Sequence, residues 1–427
     1  MKKLVCTALA AFVATLLPSC GSASAPAEEE FKPALDVTTK CDIKVIGDYK
    51  NFEALEAEFD RFNEFYPDVE LTYKYVDDYK NLLGTVLDGT DNPNIFFSYT
   101  WMNENEKYAP VVNHMEELSD PALKFNLDCI RPGLINRDAQ NKVFMVPVFA
   151  RTYGTLVNTD LFQKEGIKIP GTWSELLSAS KAFVDKGYKS PMMGFSKNSS
   201  SCLMNTVAYP MFVAELAKTP GAIKLANDLD PAAGQYMRSA LTAVDQMVKG
   251  DCIDLTECEK IENNYNAVIM RFFEGDVPMM ICPGDTVSGT GKREKESEAF
   301  TKSPFKYSYY PIPATDQGGY FIDSPSVEFS VNKSCSNLDM TNEFMRFLIS
   351  TKELNQMASV KRLVTPTKSM TSDPVYAPFS NVPSERSFLP EALGVKDPLS
   401  VQIRNASFKV GKGEITIDEA IANYGKL

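Results

Sequence analysis

Histidine, the side chain that most often transfers protons in catalysis, occurs once in this 427-residue chain, as His114. Catalysis by a Ser–His or Cys–His pair is therefore excluded at every position that does not include His114. A metal site with several histidine ligands is excluded as well, because the chain has no second imidazole. We expect no metal and no cofactor.

Carboxylates, in contrast, are abundant: 56 Asp and Glu against 44 Lys and Arg give a formal net charge of -12. An acidic balance argues against nucleic-acid binding, since phosphate recognition needs a basic face. The hydrophobic share of 44% is sufficient for a sizeable folded core. So many acids leave one catalytic alternative open, a glycoside hydrolase that uses two carboxylates.

The cysteines allow two interpretations. Cys252 and Cys258 are close enough in sequence for a small disulfide loop, but buried free thiols would serve equally well as small apolar groups. The chain contains no Cys-x-x-Cys motif, so a zinc knuckle has no support from the sequence.

The N-terminus has the pattern of a lipoprotein export signal. Two lysines precede a mostly apolar run over residues 4–18, which is shorter than the ~20 residues of a membrane span. The run leads into Leu-Pro-Ser-Cys-Gly, which resembles a bacterial lipobox whose cysteine, here Cys20, receives a diacylglycerol and becomes the new N-terminus. We therefore predict a signal peptide over residues 1–19, a lipid on Cys20 and a flexible tether over residues 20–40.

Alternating element signals fill the first part of the body that follows. Short β-branched runs over residues 41–47, 69–76 and 94–97 predict strands. Between them, residues 51–66 place apolar side chains at steps of three and four, and residues 81–87 also favour a helix. This alternation of strands and helices is typical of an α/β domain with a mostly parallel sheet.

The remainder of the chain shows the same mixture of signals. Capping boxes at residues 172–175 and 416–419 predict the starts of two helices. Further strands are predicted over residues 143–147, 154–157, 277–281 and 327–331. Further helices are predicted over residues 207–218, 235–248, 267–273 and 338–349.

Four sequence blocks carry a family resemblance. They lie within residues 43–69, 146–177, 273–279 and 311–366. The second is the most specific, because it contains Asn-Thr-Asp-Leu-Phe followed by Pro-Gly-Thr-Trp-Ser-Glu-Leu. In this order the blocks resemble the bacterial family 1 extracellular solute-binding proteins, which are the carbohydrate-binding receptors of ABC importers.

The resemblance implies a fold and a set of partners. The fold would be the two-lobed periplasmic-binding-protein (type 2) fold, in which two α/β sandwich lobes are joined by a hinge that the chain crosses several times. Residues 41–148 and 312–365 would form lobe one, and residues 149–311 and 366–427 would form lobe two. A monomer would bind its solute between the lobes and pass it to ABC transporter permease subunits, at the extracellular face of the cytoplasmic membrane or in a periplasm.

The matched motifs also indicate where the ligand contacts should lie. A sugar offers apolar faces for aromatic stacking and many hydroxyls for directional hydrogen bonds. The family commonly has a stacking tryptophan at the position of Asp285, so this chain departs from a conventional maltodextrin stack. The expected ligand-binding residues are Asp48, Tyr49, Tyr99, Trp101, Arg151, Tyr153, Asp285, Tyr320, Asp323 and Ser326.

Each of these residues also has a purely structural interpretation. Asp48 could cap the helix that follows it, and Arg151 could form a surface ion pair. Asp285 could be a turn residue after Gly284, and Trp101 could belong to the core or to the outer surface.

Three functions stay open at the level of the sequence. The first is a receptor that binds a carbohydrate, preferably an oligosaccharide, for an ABC importer, and the tyrosine-rich segments favour it. The second is a receptor for another solute, such as a peptide, a polyamine or a metal chelate. The third is a secreted glycoside hydrolase, but the chain shows no nucleophile signature. The resemblance favours the first and implies a binding protein rather than an enzyme.

Overall fold

The structure is a computed structural model, and it describes residues 30–198, 202–262, 264–369 and 373–427. The predicted signal peptide and the predicted lipid attachment site, Cys20, lie outside these residues. Within them, no helix combines the length and the hydropathy that are needed to cross a membrane.

The strands of the described residues belong to two main sheets and one short ribbon. They are β1 (Cys41–Gly47), β2 (Val69–Tyr75), β3 (Ile95–Ser98), β4 (Val146–Arg151), β5 (Tyr153–Asn158), β6 (Met192–Met193), β7 (Met279–Pro283), β8 (Tyr307–Tyr310), β9 (Phe321–Ile322), β10 (Ser324–Val331) and β11 (Ser387–Phe388). β3 and β7 are buried along their whole length, which explains why their sequences are mostly apolar rather than alternating.

The first sheet has the strand order β2-β1-β3-β10-β4. β1 is parallel to both β2 and β3, which confirms the parallel arrangement predicted for this part of the chain. β10 lies antiparallel between β3 and β4, so the sheet as a whole is mixed. The sequence predicts a strand over residues 327–331, but it does not predict that this strand enters the first sheet, because β10 is distant in sequence from β3 and β4.

The second sheet has the strand order β6-β7-β5-β8. β5 is antiparallel to both β7 and β8, whereas β6 is parallel to β7. The short ribbon pairs β11 with β9 in parallel. The prediction of a mostly parallel sheet therefore does not extend to the second half of the fold.

Helices cover both main sheets. They are α1 (Glu53–Asn63), α2 (Tyr79–Leu87), α3 (Ala109–Asn113), α4 (Thr159–Glu165), α5 (Trp173–Asp185), α6 (Cys202–Ala217), α7 (Ala222–Asn227), α8 (Arg238–Lys249), α9 (Leu255–Cys258), α10 (Tyr265–Phe272), α11 (Gly284–Val287), α12 (Thr290–Glu296), α13 (Glu298–Lys302), α14 (Leu338–Leu348), α15 (Thr351–Lys361), α16 (Asp397–Gly411) and α17 (Ile417–Ala422). α1 packs with α14 and α15 beside the first sheet, and α6 packs with α8 and α16 beside the second.

α1 shows how the sequence pattern produces this packing. Its apolar positions Leu55, Phe59 and Phe62 form one buried face, as their spacing predicts. The ring of Phe62 lies 5.2 Å from that of Phe344 on α14, in an edge-to-face contact. The helix is shorter than the predicted range of 51–66, since it begins at Glu53 and ends at Asn63.

The two predicted capping boxes have different outcomes. At α17, Thr416 Oγ1 accepts a hydrogen bond from the Glu419 amide at 3.2 Å, and Glu419 Oε2 accepts one from the Thr416 amide at 2.8 Å. At α5, Thr172 Oγ1 accepts from the Glu175 amide at 3.2 Å, but the Glu175 carboxylate accepts from the Gly171 amide instead. The first box is therefore complete, and the second is half formed.

More than one chain segment connects the two main sheets. Thr152 alone separates β4 of the first sheet from β5 of the second, and residues 311–323 lead from β8 back to β10. A third connection follows α15, where the Val364 carbonyl accepts a hydrogen bond from the Ala150 amide of β4 at 2.8 Å. Residues 374–381 then pack against β8. These connections form the hinge of a two-lobed α/β fold.

The structure favours one of the two interpretations of the cysteines. Cys252 and Cys258 are both free thiols, and both are fully buried. Burial raises the pKa of Cys258 to about 11, so its thiol stays protonated at neutral pH. These residues therefore act as small apolar groups and not as a crosslink.

Part of the predicted tether contacts the folded body. The Ala34 amide donates to Glu343 Oε1 at 2.8 Å, and the Leu35 amide donates to the Tyr66 hydroxyl at 3.2 Å. Tyr66 in turn donates to Glu343 at 2.6 Å. Residues 34 and 35, which lie within the predicted tether of residues 20–40, therefore contact the folded body.

Candidate ligand-binding cleft

The cleft is formed where edges of the two main sheets lie next to each other. β1, β3 and β4 end at the same edge of the first sheet at which the antiparallel β10 begins. In the second sheet β7 ends opposite the start of β5, where Pro283 pairs with Tyr153. Because Thr152 is the single residue between β4 and β5, the two edges are adjacent. Crevices at the carboxyl ends of strands are common ligand sites in α/β folds.

An aromatic pair, Tyr99 and Trp101, lies just after β3. The two rings stack with their centroids 5.6 Å apart and their planes 13° apart. The Lys80 ammonium lies 5.1 Å from the Tyr99 centroid, and Tyr108 makes an edge contact with Trp101 at 5.0 Å. The Tyr99 hydroxyl donates to Asp48 Oδ2 at 2.9 Å, which connects the pair to the end of β1. Both rings of the pair are half-buried.

Asp285 connects the edges of the two sheets. It lies in α11, directly after β7, and its Oδ2 is 3.2 Å from Nη1 of Arg151 at the end of β4. Its Oδ1 accepts a hydrogen bond from Ser326 Oγ on β10. Burial, followed by the charges of Asp285 and Asp48, raises the pKa of Tyr49 well above its ordinary value, so its hydroxyl stays neutral. Five of the predicted residues are thus neighbours.

The structure also tests whether Asp48 is a helix cap, Arg151 a surface ion-pair residue and Asp285 a turn residue. α1 begins at Glu53 with Phe52 at its N-cap, so Asp48 does not cap this helix. Arg151 does form an ion pair, but its partner is Asp285 in the cleft. Asp285 occupies a short helix rather than an isolated turn.

A second aromatic group lies on the side of the second sheet. The Tyr153 ring at the start of β5 is 5.2 Å from that of Tyr209 on α6. Tyr265, at the start of α10, is 49% exposed, and its hydroxyl contributes to the raised pKa of Arg151. The sequence did not indicate Tyr209 and Tyr265 as candidate site residues. Each lies in or beside a predicted helix, and the periodic pattern of a helix shows which side chains face the core but not which ones face a cleft.

Two glutamates of the cleft were also missed. Glu328 on β10 is 1% exposed, and its Oε2 accepts a hydrogen bond from Thr100 Oγ1 at 2.9 Å. Burial raises the pKa of Glu328 to about 8, and the nearby charge of Glu391 adds to the effect. Burial also raises the pKa of Glu391 to about 7. At neutral pH both groups therefore retain protons that ordinary carboxylates would have lost.

The remaining two predicted residues have other partners. Asp323 is 3% exposed and accepts hydrogen bonds from Arg131 Nε at 2.6 Å and from Arg131 Nη2 at 2.7 Å. Arg131 also donates to two backbone carbonyls within residues 365–367, so both oxygens of Asp323 serve to fix a connection between the sheets. Tyr320 packs against Phe388, with the ring centroids 5.9 Å apart.

Several buried polar atoms of the cleft have no hydrogen-bond partner in the described part of the chain. They are Asp48 Oδ1, Arg151 Nε, Thr152 Oγ1, Glu328 Oε1 and Glu391 Oε2. Buried polar atoms in folded proteins are nearly always paired, and leaving one unpaired costs about 1–3 kcal/mol. A polar ligand that carries both donors and acceptors would satisfy these atoms.

Other kinds of site find less support in the described residues. They contain no group of three or more His, Cys, Asp or Glu side chains that is arranged to hold a metal ion. Cavities of about 510 Å³ and 600 Å³ lie beside β8 and beside α7, respectively. The cleft residues named above line neither of them.

The sequence matches the family model described as "Bacterial extracellular solute-binding protein" over residues 47–354. Because this match covers most of the chain, the protein belongs to that family of solute-binding proteins, whose members are binding proteins rather than enzymes. No curated protein matches the sequence.

Solved structures of sugar-binding proteins have the same fold. RafE from Streptococcus pneumoniae, solved in complex with raffinose, has a TM-score of 0.65 at 18% identity and covers 90% of this chain and 98% of its own. A sugar transporter from Bacillus licheniformis, in complex with stachyose, has a TM-score of 0.63 at 15% identity, with coverage of 90% and 98%. A protein connected with xylan utilisation by Caldanaerobius polysaccharolyticus has a TM-score of 0.67 at 16% identity, with coverage of 90% and 99%. The two-lobed fold is thereby confirmed.

Proposed function

We propose that this protein is an extracellular receptor that binds a carbohydrate, in oligosaccharide form, in the cleft and delivers it unchanged to an ABC importer. Residues 41–148 and 312–365 would form lobe one, and residues 149–311 and 366–427 would form lobe two. The lobes would close over the sugar by a hinge motion. The protein would act as a monomer.

The observation that carries the proposal is the composition of the cleft. The stacked Tyr99–Trp101 pair lies on the side of the first sheet, and the Tyr153–Tyr209 pair lies on the side of the second. Unpaired buried atoms of charged and hydroxyl side chains lie at the same sheet edges. Flat rings suit the apolar faces of a sugar, and the polar atoms suit its hydroxyls.

The comparisons support a sugar without identifying it. RafE was solved with raffinose and the Bacillus licheniformis protein with stachyose, and both are oligosaccharides. Their identity to this chain is below 20%. The comparisons therefore support a type of contact with sugars, but they do not identify the side chains of this chain that would select one.

The proposed location follows from the N-terminal motif. A diacylglycerol on Cys20 would hold the protein at the extracellular face of the cytoplasmic membrane, or in the periplasm of a cell that has an outer membrane. The binding body would then lie beside the permease subunits that receive its ligand. Mass spectrometry of the membrane-extracted protein tests this, because an unmodified Cys20 would contradict it.

A thermal-shift screen against mono- and oligosaccharides tests the function. A ligand at 100 times its Kd stabilises the folded state by about 2.7 kcal/mol, so a matching sugar should raise the Tm clearly. Stabilisation by peptides or polyamines but by no sugar would favour the second class of receptor. Chromatography of the incubated sugar gives the further control, since release of a shorter product would indicate a hydrolase.

Trp101→Ala tests the site within the same assay. We expect sugar affinity to fall at least tenfold, or about 1.4 kcal/mol, while the protein remains folded. Trp173→Ala is the matched control, because the other tryptophan of the chain lies at the start of α5 and outside the cleft. Equal affinities of the two variants would remove Trp101 from the proposed site.

A further inference from the structure

A buried pair of polar side chains lies where α1 ends, on the side of the first sheet. Tyr66 is 0% exposed, and Glu343 on α14 is 5% exposed. The Tyr66 hydroxyl donates to Glu343 Oε1 at 2.6 Å. Arg346 donates to both oxygens of Glu343, at 2.7 Å and 2.8 Å. The arginine compensates the buried negative charge, so the pair is held in one position.

The chain that leads into the body binds to this pair through its backbone. The Ala34 amide donates to Glu343 Oε1 at 2.8 Å, and the Leu35 amide donates to the Tyr66 hydroxyl at 3.2 Å. Ala34 and Leu35 are themselves exposed, so the attachment depends on their amides and not on buried side chains. Hydrogen bonds to a charged acceptor are stronger than those between neutral groups, which favours a specific attachment.

A turn then directs the chain into β1. The Thr39 amide donates to the Asp36 carbonyl at 3.1 Å, and the Thr38 amide donates to Asp36 Oδ1 at 2.9 Å. Aspartate is favoured at the first position of such turns for this reason. β1 begins at Cys41 and ends at the cleft, and at about 3.3 Å per residue its two ends are about 20 Å apart. The chain thus enters the first sheet at the end that is distant from the cleft.

The attachment shortens the part of the chain that would separate the body from a lipid on Cys20. From Cys20 to Ala34 an extended chain spans at most about 50 Å, whereas from Cys20 to Cys41 it spans at most about 75 Å. A compact body of this size has a diameter of about 55 Å, and a two-lobed body is longer in one direction. Only the attached chain is therefore shorter than the body that it would hold.

We propose that Tyr66 and Glu343 form a docking site for residues 34 and 35, which keeps the first sheet rather than the second next to the membrane. This inference rests on the lipid that the proposed function places on Cys20, but it does not depend on the ligand. With the segment docked, the body can lie along the membrane, beside a permease. It cannot stand on the second sheet, because the attachment point would then be out of reach.

Amide hydrogen exchange of the purified full chain tests the docking. Tyr66→Phe keeps the buried ring but removes the acceptor of the Leu35 amide, so the amides of residues 34 and 35 should exchange at least tenfold faster. Tyr75→Phe is the matched control, because its hydroxyl bonds to Asp77 at 3.0 Å, outside the docking site. Rapid exchange of these amides in the parent protein, or no change in Tyr66→Phe, would overturn the docking.

Energy transfer on phosphatidylcholine vesicles tests the orientation. The lipidated protein carries a donor dye at Glu64 near the docking site or at Lys302 on the side of the second sheet, both of which are exposed, and the membrane carries acceptor-labelled lipid. We expect transfer from position 64 to exceed that from position 302 at least twofold. Equal transfer from the two positions would contradict the proposed orientation.

Two proline variants separate the docking from a general effect of the chain's attachment to the first sheet. Leu35→Pro removes the amide that binds Tyr66 without changing the core, so it should reduce the difference in transfer between the two dye positions. Val37→Pro is the matched control, since proline suits the second position of the turn that begins at Asp36. An equal reduction in both variants would overturn the role of the docking site.

The outcomes also separate this inference from the proposed function. Protected amides and a first sheet close to the membrane, in a protein that binds no sugar, would support the docking site and overturn the carbohydrate receptor. Sugar binding with unprotected amides would do the reverse. A Cys20 without lipid would overturn the orientation and the proposed location together, and it would leave sugar binding unaffected.

Discussion

Burial sets the charge state of Glu328 in the ligand-free protein. Its pKa is raised from 4.5 to about 8, so between these values the folded state holds a proton that the unfolded chain releases. Folding is therefore favoured at acidic pH and weakened as the pH rises through this window. Glu391, whose pKa is raised to about 7, acts in the same direction.

This linkage predicts how single substitutions change the pH dependence of stability. The Tm of the ligand-free protein should fall as the pH rises from about 5 to about 8, and Glu328→Gln should make that fall smaller. Thermal melts at several pH values measure both slopes. Glu385→Gln serves as the control, because its side chain is exposed. Parallel curves for Glu328→Gln and the parent protein would show that Glu328 ionises normally.

At the scale of the elements, β5 joins the two sides of the second sheet, because it pairs with β7 on one side and with β8 on the other. Gly154 allows this close approach. A Cβ at this position would lie 2.4 Å from the Tyr310 carbonyl oxygen and 3.0 Å from the Tyr309 ring. The backbone of β8 would have to move to admit any larger residue.

Gly154→Ala should therefore destabilise the protein by about 1–3 kcal/mol, as overpacking generally does. Urea unfolding measures the change. Gly84→Ala is the matched control, since a Cβ in this helical position would have its nearest neighbour, Val111, at 3.9 Å. That control should be neutral or stabilising by up to about 1 kcal/mol, because alanine favours helices. A neutral Gly154→Ala would mean that β5 and β8 are less closely packed.

At the scale of the whole molecule, Arg362 joins parts that belong to different sheets. It follows α15, which packs beside the first sheet. Its Nη1 donates to Thr290 Oγ1 at 3.1 Å, to Glu294 Oε1 at 2.8 Å and to the Tyr307 hydroxyl at 3.0 Å. Tyr307 belongs to β8 of the second sheet, so this one guanidinium spans the hinge region.

Arg362→Ala should shift the molecule towards a more open arrangement of its lobes. A charged hydrogen bond contributes about 1.5–3 kcal/mol, so ligand affinity should fall roughly tenfold or more. Small-angle X-ray scattering should show a larger radius of gyration than that of the parent protein. Arg238→Ala is the control, because that arginine pairs with Asp418 at an exposed position on the side of the second sheet. An unchanged scattering profile and affinity would exclude a role in closure.

Much of the local structure follows from short stretches of sequence. The apolar spacing in α1, the alternation in β1 and β2 and the capping residues of α17 are each set by interactions within a few residues, so they are visible in the sequence. The motif resemblance added the two-lobed fold, and it indicated Asp48, Tyr49 and Tyr99 because side chains that follow strands gather at sheet edges.

The contacts across the cleft follow from packing between distant segments. Glu328 lies within a buried strand, where its neighbours predict only that a strand exists, and Glu391 lies in a stretch without a periodic pattern. Burial is the main cause of both raised pKa values; the charge of Glu391 adds to that of Glu328, and the charge of Asp323 adds to that of Glu391. None of these effects exists until the chain has folded. The same is true of Asp323, whose carboxylate is occupied by Arg131 from an earlier part of the chain. Short-range sequence patterns determine which helices and strands form. Packing between segments that are distant in sequence determines which polar groups remain available to bind a ligand.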